Sequence, residues 1–120
     1  MAEHNELGRK GEEAAVAYLK KKGHHIVERN WSFSGYEIDI VSEQEDFIVF
    51  VEVKTRTSTE WGDPGDFIGE YRMRRMVRAA SHYLKKNRID KPARFDIIAI
   101  IWNERQFELE HIEDAFLPFL

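Results

Sequence analysis

Two short runs dense in β-branched and aromatic residues, Glu37–Val41 and Ile48–Lys54, flank four consecutive polar residues, Glu43, Gln44, Glu45 and Asp46. No other stretch limits the chain as strongly. It reads as two antiparallel strands joined by a polar turn. Side chains alternate along a strand, so Glu52 and Lys54 project from one face, about 6.6 Å apart along the strand. Val49, Val51 and Val53 take the other face. With a turn of even length, Asp39 joins Glu52 and Lys54, because directly opposed residues point the same way.

Two carboxylates and an amine are costly to bury on a sheet face without partners. A divalent cation held between Asp39 and Glu52 supplies a reason for the cluster. Mg²⁺, a hard cation, takes carboxylate and carbonyl oxygens and keeps several waters. The metal set is then Asp39, Glu52 and the peptide carbonyl of Val53, with Mn²⁺ able to substitute. Lys54 beside it can orient or deprotonate a water, or steady the charge on a phosphate.

Asp39 followed thirteen residues later by Glu52-Val53-Lys54 resembles the D…(D/E)xK signature of the PD-(D/E)xK nuclease superfamily, whose members cut phosphodiester bonds with Mg²⁺. The wider chain is similar to the small bacterial YraN-like proteins, themselves similar to archaeal Holliday junction resolvases. The matching segments are LGRKGEEAAVAYL at 7–19, RNW at 29–31, EIDI at 37–40, VFVEVKTR at 49–56 and RFDIIAI at 94–100. Two departures are visible: Ile38 replaces the proline usual before the first acid, and Tyr36 separates Gly35 from Glu37. Neither removes a metal ligand.

The resemblance implies a restriction-endonuclease-like α/β fold, a mixed central sheet of about five strands flanked by helices. It also implies a Mg²⁺-dependent, resolvase-like DNA endonuclease, with branched DNA among its substrates. The catalytic set it implies is Asp39, Glu52 and Lys54, with Glu12 in support. Spacing alone leaves Glu12 open, since a helix-surface glutamate, as Glu13 reads, fits equally. The competing class is a nucleic-acid-binding or assembly protein that keeps the nuclease fold without cleavage.

The formal charge of −4 argues against a protein that coats nucleic acid by bulk attraction. Its distribution matters more than its sum. Acids gather around the proposed site and the turn, whereas Arg72, Arg74, Arg75, Arg78, Lys85, Lys86, Arg88, Lys91 and Arg94 crowd one region. Arg56, Arg72 and Arg75 are the candidates for nucleic-acid contact. At position 72 the family often carries a lysine. Solvation and pairing with acids is the ordinary reading of the other helix arginines.

A chain of 120 residues suits one domain spanning 1–120. No apolar run reaches the length of a membrane span, the N-terminus lacks the pattern of a signal peptide, and cysteine is absent. A cytoplasmic protein is expected.

Along the chain, Asn5 can cap a first helix running to Lys22, with Gly23 ending it. His25–Trp31 reads as a strand. His24 and His25 point to opposite faces and read as surface residues. Trp31 and Phe33 suit either a small core or base stacking. The loop TSTEWGDPGDF is a candidate gate, with Trp61 its anchor, or a plain connector. A second helix runs from Asp66 or Phe67 to Asn87, crossing over to a parallel neighbour of the third strand. Ala93–Trp102 reads as a central strand, interrupted by Asp96, a buried carboxylate for arginine or backbone donors to satisfy. Gln106–Ile112 closes the sheet, and the apolar tail AFLPFL makes a homodimer a candidate assembly.

Overall fold

The structure, a computed structural model, describes residues 2–58 and 69–116, with side chains from residue 6 onward. The loop beyond Ser58 with Trp61, the helix start expected at Asp66 or Phe67, and residues 117–120 lie outside the described residues.

The elements are α1 (Ala2–Lys21), β1 (His25–Phe33), β2 (Tyr36–Gln44), β3 (Phe47–Arg56), α2 (Glu70–Lys86), β4 (Ala93–Trp102) and β5 (Phe107–Ile112). The five strands form one sheet in the order β1-β2-β3-β4-β5. β3 and β4 pair in parallel and every other neighbouring pair is antiparallel. The expected crossover is therefore present, with α2 between the two parallel strands. This α/β architecture is compatible with a restriction-endonuclease-like fold.

Each helix covers one sheet face. Ala15, Val16 and Leu19 of α1 pack on Ile40, Val49, Val51, Ile98 and Ile100. Met76, Ala79, Ala80 and Tyr83 of α2 pack on Tyr36, Ile38, Val41, Ile48, Phe50 and Phe95. Val49 and Val51 thus alternate with Ile48 and Phe50, as a strand buried on both faces requires.

The turn between β2 and β3 is tighter than expected. Pairing extends to Gln44↔Phe47, leaving only Glu45 and Asp46, and Glu45 takes a left-handed φ of 54°. The turn is still even. Gly23 ends α1 in the left-handed region at φ 94°. There the Gly23 amide donates to Lys20 O and the His24 amide to Leu19 O, the paired bonds of a glycine-closed helix end. Asn5 is not a cap, because the helix begins at Ala2. α2 begins at Glu70, with Gly69 extended ahead of it and no side-chain cap.

His24 is a correction. It is buried, and its Nδ1 lies 2.8 Å from Ser42 Oγ, whereas His25 is exposed as expected. Asp96 is satisfied in the way its position requires. Arg94 donates to both its oxygens at 2.9 Å, His111 Nε2 approaches at 2.7 Å, and the Asp114 amide donates at 3.0 Å. The tail turns back at its start, where Phe116 stacks on Phe95 at 5.1 Å between ring centroids.

Candidate active site

The ladder between β2 and β3 ends at Ile40↔Val51. Beyond that point β2 continues along β1 and β3 continues along β4, so the sheet forks. The side-chain alternation of β2 slips at the same place. Ile38 and Val41, three residues apart, both face α2, while Ile40 between them faces α1. Asp39 sits at this slip, and its Oδ2 reaches across the fork to accept from the Val53 amide at 2.8 Å. One carboxylate oxygen thereby replaces the ladder partner that Val53 has lost.

The fork opens into a cleft of about 870 Å³ lined by Asp39, Glu52, Val53, Lys54 and Glu12 together with Arg56, Arg72, Asn30, Glu37 and the first turns of α1. The structure thus brings together all the residues expected at the metal and catalytic positions, and two of the three arginines. Arg75 does not line this cleft. It donates to Ser34 O at 2.8 Å and lies over the Tyr36 ring.

Glu52 is only 2% exposed. Tyr36 donates to its Oε1 at 2.8 Å, and Arg72 forms an ion pair with Oε2. Tyr36 keeps its proton, since burial and the Glu52 charge raise its pKa. Asp39 has less help. Burial, then repulsion from Glu52, push its carboxyl up to about 8, against the single Val53 hydrogen bond, with Glu12 and Glu37 adding further repulsion. The Lys54 ammonium is shifted the other way. Burial and the neighbouring Arg72 lower its pKa, with Arg56 in the same sense, although Glu52 and Asp39 oppose them.

Glu12 is not a surface glutamate. It is 8% exposed, accepts from Asn30 Nδ2 at 2.7 Å and from Arg29 Nη2 at 3.1 Å, and turns into the cleft. Glu13 is exposed and shares Arg29. α1 comes close enough to place Glu12 because residue 11 is glycine. A Cβ built at Gly11 would meet Thr55 Oγ1 at 1.8 Å and Thr55 Cβ at 2.8 Å.

Asn30, Arg29 and Tyr36 are the site residues that spacing did not assign. Arg29 and Asn30 belong to the RNW segment, and Asn30 holds a left-handed φ of 53°, a conformation asparagine tolerates better than most residues. Their signal was that match alone. Tyr36 appeared only as an interruption between Gly35 and Glu37.

A divalent cation fits this donor set. Among the described residues no three His, Cys, Asp or Glu side chains form a ready cage. Mg²⁺, however, is held by one or two carboxylates plus waters rather than by an all-protein cage. Two mutually repelling carboxylates at the fork, with the Val53 backbone between, match that demand.

The sequence profile described as "Uncharacterised protein family UPF0102" matches residues 11–100. A UPF0102 protein of Flavobacterium psychrophilum is 46% identical over 119 residues, covering 99% of this chain and all of the relative. One from Bacteroides thetaiotaomicron is 48% identical over 118 residues, covering 98% of each. One from Christiangramia forsetii is 45% identical, covering 99% of this chain and 100% of its own.

Proposed function

The chain belongs to the UPF0102 family, also called the YraN family, and from that premise and the forked sheet we propose that it is a Mg²⁺-dependent DNA endonuclease of resolvase-like type. The observation that carries the reading is the meeting of Asp39, Glu52, Val53, Lys54 and Glu12 in one cleft whose rim holds Arg56 and Arg72.

In this reading Asp39, Glu52 and the Val53 carbonyl hold the cation. When bound, it lowers the pKa of a coordinated water and offsets charge building on the phosphate. Lys54 Nζ orients the attacking water. Arg56 and Arg72 hold phosphate oxygens, for which the planar guanidinium suits two-point contact. Tyr36 fixes the rotamer of Glu52, and Asn30 with Arg29 fixes that of Glu12, which supports from the α1 side. Branched DNA cut on two strands calls for two such clefts, so the reading includes a homodimer. Among the described residues no helix is long and apolar enough to cross a membrane. A cytoplasmic setting, where DNA is met, belongs to the same proposal.

A second reading has its own observation. The Arg72 guanidinium already neutralises Glu52, as it would in a nucleic-acid-binding or assembly protein that never takes up a cation. One experiment separates the two. The pure protein is incubated with linear, single-stranded, flapped and four-way DNA in Mg²⁺ or Mn²⁺, beside Asp39→Ala and Lys54→Ala. Cutting by the wild type that both variants lose supports the nuclease. Binding without cutting favours the second reading, and equal cutting by the variants would trace the activity to a contaminant.

A further inference from the structure

α2 carries six Lys/Arg and one Glu in its seventeen residues, a formal +5 in a chain of −4, so the other 103 residues sum to −9. Its core side is taken by Met76, Ala79, Ala80 and Tyr83. On the outer side Arg74, Val77, Arg78, Ser81, His82 and Lys85 recur at helical spacing. With Phe33 of β1 they line a groove of about 460 Å³ that contains no Asp or Glu. Arg74 is ion-paired to exposed Glu70 at 2.6 Å, but Arg78 and Lys85 have no such partner among the described residues.

A stack of flat rings borders this basic row. Phe33 and His82 lie 4.2 Å apart at 20°, and Trp31 lies 6.3 Å from Phe33 at 4°. Trp31 and Phe33 are half-buried against the core, whereas His82 is exposed, so the stack reaches the surface beside the cations.

A basic track with ring faces alongside is the combination that binds unpaired nucleic acid, whose bases offer π-faces that a duplex hides. We propose that this groove holds a single-stranded segment, with Arg74, Arg78 and Lys85 on phosphates and a base joining the Trp31–Phe33–His82 stack. The proposal rests on the reading of the cleft as a DNA site, because α2 connects the two. Arg72 in its first turns pairs with Glu52 of the cleft, and Arg75 lies next along, over Tyr36. Lys85 is thirteen residues beyond Arg72, about 20 Å along the helix. A strand leaving the cleft along α2 therefore runs into the groove, which selects flapped or branched DNA with an unpaired arm. An acidic polypeptide shares the charge but has no use for the ring stack.

The test uses the full chain in EDTA, so that binding is read without cutting, and follows fluorescence anisotropy of a labelled twelve-nucleotide oligo-dT. A duplex of equal length and polyglutamate serve as the comparison ligands. The wild type should prefer oligo-dT to duplex. Arg78→Glu with Lys85→Glu should weaken oligo-dT binding about tenfold and reduce its salt slope by about two. His82→Ala should abolish the preference for the single strand. All three side chains are exposed, and circular dichroism checks that the variants fold. Unchanged affinity in the double variant, or an unchanged preference in His82→Ala, overturns the proposal. So does polyglutamate competing as well as oligo-dT. Groove-dependent binding by a protein that cuts nothing would leave the groove standing and remove the nuclease. Cutting that ignores the groove variants, together with their unchanged binding, would do the reverse.

Discussion

Asp96 and Glu52 lie one register step apart on neighbouring parallel strands, since Val51 pairs with Asp96 and Glu52 with Ile97. They nevertheless face opposite sides of the sheet, and the surroundings differ. On the α1 side of the sheet, Asp96 is closed off by Arg94, His111 and the Asp114 amide. Burial alone would raise its pKa, but those hydrogen bonds hold it below the usual carboxylate value. Across the sheet, Glu52 is held by Tyr36 and Arg72, but Asp39 beside it at the fork has one donor and several acids around it, and the Asp39 carboxyl is pushed up to about 8. The fold satisfies one buried carboxylate completely and leaves another short of partners. A satisfied charge holds structure together; an under-satisfied one is available for a ligand.

The largest effect should come from the under-satisfied side. Asp39→Asn and Lys54→Ala should lower Mg²⁺-dependent DNA cutting by about 10²–10⁴-fold, the usual reach of one positioned proton-handling group. Urea denaturation should show Asp39→Asn as stable as the wild type or more so, because asparagine has no charge for burial and Glu52 to disfavour. A strong loss of stability in Asp39→Asn would erase the contrast.

The satisfied side should answer in the opposite way. Asp96→Ala strands Arg94 and His111 in a buried setting, and breaking such a pair costs about 3–5 kcal/mol. The urea midpoint should fall accordingly, while cutting per folded molecule stays unchanged. A specific loss of cutting in a folded Asp96→Ala protein would make the two carboxylates functionally alike.

Gly11→Ala tests whether the cleft depends on the close approach of α1 to β3. The added methyl meets Thr55, so a stability loss of about 1–3 kcal/mol is expected from overpacking, with cutting falling as Glu12 shifts. Gly11→Ala with Thr55→Ser, which removes the Thr55 methyl but not the crowding oxygen, should recover little. Gly11→Ala with Thr55→Ala should recover more.

The smallest effect is on pH dependence. Burial first, and then Arg94 and His111, lower the pKa of His24, against Asp96 and Glu113, while Ser42 binds its Nδ1. Above about 6.5 neither the folded nor the unfolded chain protonates His24. Below it the unfolded chain takes a proton that the buried ring resists, so stability falls as pH falls. Asp96 adds a loss of the same sign at lower pH, below about 3.8, where the unfolded carboxyl protonates first. Asp39 acts with the opposite sign between pH 7.5 and pH 5.5, because its carboxyl, raised to about 8, is protonated in the folded chain and ionised in the unfolded one, so it adds stability as pH falls. In an Asp39→Asn background, where that contribution is absent, urea midpoints should drop from pH 7.5 to pH 5.5, and His24→Gln should flatten that slope. A midpoint that rises on acidification in that background would contradict the His24 assignment.

Much of this arrangement was readable from local pattern. The apolar run 93–102 became the buried β4 with its limits as expected, and Asp96 found the arginine and backbone donors its position called for. The even turn and the alternation of β3 put Glu52 and Lys54 where period-two spacing places them. The fork itself was not readable. It depends on where two ladders stop and on β2 turning over at Asp39, which involves β1, β3 and β4 together. Glu12 was ambiguous for a similar reason, because its neighbours Arg29 and Asn30 are remote in sequence and meet it only once α1 is docked. His24 was misplaced because its burial comes from the docked end of α1 and from Ser42, not from any neighbour along the chain.

Element type, strand order around the crossover and the convergence of Asp39, Glu52 and Lys54 on one cleft followed from residue order, since helical and extended periodicities and hydrogen-bonding capacity are properties of short segments. Which acids were left under-satisfied, and which were closed off, came from packing. Desolvation and charge repulsion depend on every element that surrounds a group, and two carboxylates of one sheet, Asp96 and Asp39, can receive opposite answers.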